Sequence, residues 1–228
     1  MKKTYLIILF LIISITTIFV IYTYKSTNLT KHVNNTYSKM NSIDENNKYK
    51  IQIYFPITKY KLLNIAIKKE IDKNLKEFKK YSLEFPVKED FYYTFYVLYD
   101  EYYYQNYISI VLYFEEFTGG AHPIHFIKTF VYDKETNKLL TIDDLLTQNK
   151  NLLNELSTIV RKELLKIPKY QDPIVKSMLL DGTKPTKENF SKFALTKDGL
   201  KVYFDYYQIA PYYYGNSELT IPYKGLNL

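Results

Sequence analysis

From Phe91 to Tyr132 the chain is written largely in a two-residue period, and that stretch constrains most of what the rest can become. Phe91, Tyr93, Phe95, Val97 and Tyr99 share one face of an extended segment, and Ile108, Ile110, Leu112 and Phe114 share one face of the next. Side chains on a strand point alternately to opposite faces, so the pattern predicts strands over Phe91–Tyr99 and Tyr107–Phe117. The polar run Asp100 to Asn106 reads as their hairpin loop. Thr118-Gly119-Gly120-Ala121-His122-Pro123 follows. Paired glycines permit backbone angles that a Cβ disfavours, and Pro123 biases His122 toward an extended conformation. This reads as a shaped crossing into a further strand, Phe126 to Tyr132. Aromatic residues make up 18% of the chain, nearly all of them Tyr (26) and Phe (14). Such residues favour strands, which points to a sheet-rich fold.

Around this centre lie one more strand pattern and two helical ones. Tyr49 to Phe55 alternates and stops at Pro56. Leu63, Ile67, Ile71, Leu75 and Phe78 recur every three or four residues, which predicts an amphipathic helix from about Lys59 to Tyr81. Its lysines and glutamates fall on the other face and read as solvated surface. Asp133 to Lys138 is a turn, with Asn137 where a left-handed residue is needed. Thr141 and Asp144 have capping-box spacing, with Asp in place of Glu or Gln. Leu152, Leu156, Ile159, Val160, Leu164 and Ile167 mark a second amphipathic helix, about Lys150 to Lys166, ended by Pro168. Tyr170 to Thr186 reads as irregular. Short strands are expected at Phe193–Leu195, Lys201–Tyr206 and Glu218–Tyr223, with a Tyr-rich bend between Pro211 and Gly215.

The N-terminus has a different character. Thr4 to Tyr24 carries no charge, follows Lys2-Lys3 and ends without a small-residue cleavage pattern. Twenty-one helical residues reach roughly 30 Å, the thickness of the hydrocarbon core. Residues 1–25 are therefore expected to be an uncleaved single-pass anchor with the body outside; a cleaved signal is the alternative, ahead of a buried core helix. Residues 26–48, rich in Asn, Ser, Thr and Lys, read as a polar tether. The net charge is +7, but the excess of lysine sits before Ile51, and basic and acidic residues nearly balance beyond it. A nucleic-acid partner is not expected, because the body lacks a basic excess. With no cysteine there is no disulfide scaffold, thiolate metal site or cysteine nucleophile. The expected fold class is α+β over residues 49–228: a mainly antiparallel sheet with two amphipathic helices packed on it, preceded by one transmembrane helix.

Certain segments occur in a telling order: Gly119-Gly120-Ala121-His122, Lys128-Thr129-Phe130 to Asp133, Leu139 to Leu146, Phe193-Ala194-Leu195, Asp198-Gly199-Leu200, Tyr203-Phe204, Ile209-Ala210-Pro211-Tyr212, Gly215 and Ile221-Pro222-Tyr223. In this order they resemble an extracytoplasmic domain of unknown function. It occurs in RsiV-type anti-sigma factors and in the N-terminal part of PdaC-type peptidoglycan deacetylases. The resemblance covers about Tyr49 to Leu228 and implies an α+β domain outside the membrane. Only Met1 to Lys3 precede the apolar run, so capture of a sigma factor is not expected, and the motif reaches Leu228, so deacetylase activity is not expected either. Lysozyme binding is a property of RsiV-type members that the resemblance assigns to no residue here.

The expected function is recognition of a cell-envelope glycan, or of an envelope-active protein such as lysozyme, by a membrane-anchored module without cofactor or resident metal. A structural partner in the envelope and a peptidoglycan-acting enzyme are the alternatives. The candidate ligand-binding residues are Gly119, Gly120, His122, Tyr212, Tyr213 and Tyr214, with Tyr206 and Tyr207 completing an aromatic platform. The expected role of His122 is to tie the crossing to backbone, with ligand contact the alternative. His122 and His125, three apart, would point to opposite faces of a straight strand, and no third metal ligand is suggested by spacing. Glu115 and Glu116 point to opposite faces and do not form a glycosidase-type acid pair.

Overall fold

The computed structural model describes residues 40–45, 49–85 and 92–226. The proposed anchor, most of the proposed tether and Phe91 lie outside the described residues. Among the described residues, no helix is long and apolar enough to cross a membrane.

A six-stranded sheet carries the N-terminal half in simple chain order. Strand β1 (Met40–Glu45) lies within the stretch read as a tether and pairs antiparallel with β2 (Tyr49–Phe55). Next comes α1 (Lys61–Glu84), and then β3 (Tyr93–Tyr104), which lies parallel to β2. A parallel pair needs a crossover, and α1 supplies it. Asn64 organises the entry to α1. Its side-chain oxygen accepts from the Thr58 amide at 2.9 Å and hydroxyl at 2.8 Å, and its nitrogen donates to the Thr58 carbonyl at 2.7 Å. Leu63, Ile67, Ile71 and Phe78 are buried on the sheet among Ile51, Phe95, Val97 and Ile110, with the Phe78 and Phe95 rings 5.3 Å apart. Leu75 is only half buried.

The loop expected at Asp100–Asn106 is corrected. Strand β3 runs on to Tyr104, and a turn at Gln105-Asn106 leads into β4 (Tyr107–Phe117) with Tyr104 opposite Tyr107. Gln105 takes a positive φ of 47°. The charged residues of β3 pair across the ladder instead of turning: the Tyr113 hydroxyl donates to Asp100 at 2.8 Å. Strand β5 (Ile124–Asp133) pairs with β4, and Asn137, at φ 56°, closes the turn to β6 (Lys138–Leu140). Asp144 accepts from both the amide (2.7 Å) and the hydroxyl (2.8 Å) of Thr141 at the start of α2 (Ile142–Gln148).

The C-terminal half adds a second layer that the expected single sheet lacked. Strands β7 (Phe193–Thr196), β8 (Gly199–Phe204) and β9 (Ser217–Ile221) form a three-stranded antiparallel sheet. Ala194 and Tyr203 pack on Val111 and Ile127 of the large sheet. Phe193, Leu195, Leu200 and Phe204 pack on α3 (Leu152–Leu164) and α4 (Pro173–Gly182). The second predicted helix therefore lies on the small sheet, not beside α1. Its buried stripe is Leu152, Leu156, Val160 and Leu164; Ile167, assigned to that stripe, is 43% exposed. Helix α4 corrects the irregular reading of Tyr170–Thr186. Asp172 accepts from the Ile174 and Val175 amides, and Pro173 occupies the first turn, where a missing N–H costs nothing.

Strand β4 is buried on both faces, between α1 and the small sheet. Ser109 is fully buried, accepting from the Leu195 amide at 2.9 Å and donating to the Leu195 carbonyl at 3.2 Å. The small sheet does not extend over the β2–β3 end, where Gln52 and Leu98 remain exposed. That uncovered end is where the site forms.

Candidate functional site

The Gly-Gly crossing between β4 and β5 has the backbone its sequence calls for, with φ 95° at Gly119 and 98° at Gly120. A Cβ at Gly120 would meet nothing within 4 Å, so the glycine is needed for its dihedral angle and not for space. Gly120→Val is therefore expected to cost about 1 to 3 kcal/mol, all of it backbone strain. Thermal melts of the variant check this, and an unchanged midpoint would mean that the crossing relaxes freely.

The crossing delivers two histidines to one aromatic cluster. The His122 ring stacks on Tyr212, with centroids 3.7 Å apart and planes at 19°. Its Nδ1 lies 2.9 Å from the Pro123 carbonyl oxygen, and its Nε2 lies 3.3 Å from the Tyr207 hydroxyl. Both contacts suit one tautomer: Nδ1–H donates to the carbonyl and Nε2 accepts from the tyrosine. His125, on β5, stacks on Tyr206 at 4.7 Å and 16°, and its ring is 5.9 Å from Tyr212. The bend thus brings together rings that a straight strand would separate. His125 Nδ1 is 3.8 Å from the carboxylate of Glu115, its partner in the β4–β5 register. Burial holds the His125 pKa below its ordinary value, against the opposing pull of Glu115.

The tyrosines are held from behind. Asp205 accepts from the Ile127 amide at 3.2 Å and pairs with Lys192. The Gln208 side chain accepts from the Asp205 amide at 3.1 Å and donates to the carbonyls of Gly182 (3.0 Å) and Asn189 (3.1 Å). Between these anchors Tyr207 takes a positive φ of 64°, uncommon for a bulky residue. Pro211 leads into a single 3-10 turn, Tyr212–Tyr214, and Gly215 ends it at φ 74°. Tyr212 faces the histidines. Tyr213 and Tyr214 pair with each other at 4.2 Å, and Tyr214 packs on the C-terminal core.

Beside this cluster opens a cleft of about 360 Å³ on the uncovered end of the large sheet. Tyr54, Tyr96, Glu115, His125, Tyr206 and Asn216 are among its lining. Of the six residues singled out from sequence, Gly119, Gly120, His122 and Tyr212 share this corner of the molecule, and Tyr213 and Tyr214 do not join the ring cluster. Sequence reading missed Gln52, Tyr54, Tyr96 and Glu115 as cleft residues. The available signal was aromatic and polar side chains at the outward positions of β2, β3 and β4. Glu115 and Glu116 separate as expected: Glu116 faces α1, where burial and then Glu77 raise its carboxyl pKa. Among the described residues, no group of three His, Cys, Asp or Glu side chains could hold a metal ion.

Residues 143–224 match the family described as "Protein of unknown function (DUF3298)". The chain is 30% identical over 184 residues to the peptidoglycan-N-acetylmuramic acid deacetylase PdaC of Bacillus subtilis, covering 78% of this chain and 38% of the deacetylase. It is 31% identical over 114 residues to an esterase of Mycobacterium tuberculosis, covering 50% of this chain and 48% of the esterase. The chain thus spans less than half the length of either relative. Two solved structures share its fold. A DUF3298 family protein of Pseudomonas aeruginosa superposes with a TM-score of 0.63 at 20% identity, covering 86% of this chain and 94% of that one. A member from Bacteroides fragilis gives 0.58 at 18% identity, covering 83% and 90%.

Proposed function

We propose that this chain is a membrane-anchored, outward-facing binding module of the bacterial cell envelope, and that its aromatic cleft holds a glycan or a protein acting on the envelope. The observation that carries the reading is the cleft beside the His122–Tyr212 and His125–Tyr206 stacks. Flat ring faces with a few polar groups between them suit ligands that present both an apolar face and hydroxyl or amide groups. Similarity to a peptidoglycan deacetylase over most of this chain supports a wall-derived ligand. The uncharged run Thr4 to Tyr24 behind Lys2-Lys3 supports the anchor.

Similarity to an esterase favours a second reading, hydrolysis in the cleft. Among the described residues, no serine or cysteine lines the cleft, which supports binding over nucleophilic catalysis. Tyr206 lines the cleft and stacks on His125, so Tyr206→Ala is expected to lower retention on purified peptidoglycan by about tenfold or more, as removal of a central aromatic contact does. A co-sedimentation assay with the full chain reads this, and equal retention of variant and parent would remove Tyr206 from the site. Product release from labelled wall by the parent chain would replace the binding reading with the enzymatic one.

A further inference from the structure

We infer that the cleft takes a ligand bearing a protonated primary amine, with Glu115 as its counter-ion; this rests on the reading of the cleft as a binding site. The chain holds 31 Lys and Arg against 24 Asp and Glu, yet among the described residues no lysine or arginine lines the cleft, and the one carboxylate that does is Glu115. Among the described residues, that carboxylate accepts no hydrogen bond. The nearest basic atom, His125 Nδ1, is 3.8 Å away, and burial favours the neutral form of that ring. A part-exposed carboxylate set at the wall of a concave site offers an acceptor to the donor of a bound ligand.

The surroundings favour a cationic donor over a neutral one. Tyr54, Tyr96 and Tyr206 line the same cleft, and the negative faces of aromatic rings attract ammonium groups. The hydroxyls of Tyr54 and Tyr96 make no hydrogen bond among the described residues, so they too are open to the spare protons of an ammonium. An anionic ligand would meet Glu115 with no lysine or arginine among the described lining residues to offset the repulsion. Two wall chemistries present such an amine: a hexosamine without its acetyl group, and the side-chain amine of a peptide.

The experiment is calorimetric titration of the full chain in detergent, at mildly acidic pH. The probes are a glucosamine oligomer, the matching N-acetylglucosamine oligomer and Nα-acetyl-lysine amide. The glucosamine oligomer is expected to bind at least about tenfold more tightly than its acetylated counterpart, as a charge-assisted hydrogen bond implies. Glu115→Gln should bring that ratio to within about twofold with the melting temperature unchanged. Binding of the lysine amide in place of the glucosamine oligomer, lost in Glu115→Gln, sustains the inference and assigns the amine to a peptide. A ratio near one, or a ratio that survives Glu115→Gln, overturns the amine and leaves the cleft as a site for neutral glycans. If no probe binds, the inference falls, and retention of Tyr206→Ala on peptidoglycan decides whether the underlying reading falls with it.

Discussion

Leu156→Asp is expected to leave no folded protein. Leu156 is fully buried on α3, within the cluster that joins this helix to Phe193, Leu195, Val202 and Phe204. An aspartate there would need to ionise without a partner or bind a proton at a cost, and either outcome removes more than about 4 kcal/mol. A domain of this size has roughly 5 to 15 kcal/mol in total. Leu156→Met keeps the volume and apolar character and should cost less than about 1.5 kcal/mol. Circular dichroism melts of the two variants test the claim. A cooperative transition at the parental temperature in the aspartate variant would show that this face of α3 does not meet the small sheet.

The second large effect comes from a single methyl group. Gly199 has a φ of 145°, and a Cβ there would lie 2.1 Å from the Ile221 carbonyl oxygen and 2.6 Å from its carbon. Those atoms are backbone, so no rotamer change relieves the clash. Gly199→Ala must therefore splay the β8–β9 pair at Leu200 and Ile221, next to the Lys197-Asp198 turn. Strain and overpacking together are expected to cost about 3 kcal/mol or more. For a chain of this size that lowers the melting midpoint by roughly 6 to 12 °C. A shift of a degree or less would mean that β9 moves aside without loss.

Local periodicity revealed most of the elements and little of their assembly. Leu63, Ile67, Ile71 and Phe78 mark the buried face of α1 unaided, because a helix that packs on one layer shows one apolar stripe. Strand β4 hid its environment. Ser109 looks like a solvent-facing residue, yet it is buried because its hydroxyl satisfies the Leu195 backbone, a partner 86 positions away that no local pattern can show. Asp100 and Glu101 read as loop because their charge resembles turn chemistry; in the ladder Asp100 is an acceptor for tyrosine hydroxyls. Pro173 and Gly182 read as breakers, whereas they start and finish α4. Pro173 follows a capping aspartate, and Gly182 makes room for the Gln208 carbonyl, 1.9 Å from where a Cβ would stand. The site divides in the same way. The clustered tyrosines near residue 210 were conspicuous, but Tyr54, Tyr96 and Glu115 join them only through strand pairing.

The burial of β4 on both faces also bears on how the chain comes together. Val111 and Ile127 form an apolar surface on the large sheet that Ala194 and Tyr203 of the small sheet cover. A nascent chain completes β5 about 60 residues before the first strand of that cover, and closing so long a loop is entropically slow compared with forming helices and hairpins. During that interval the large sheet presents bare apolar strands, the kind of surface through which partly folded chains aggregate. Shielding this face, by a chaperone or by rapid delivery of the last strands, is thus the step on which a productive yield depends.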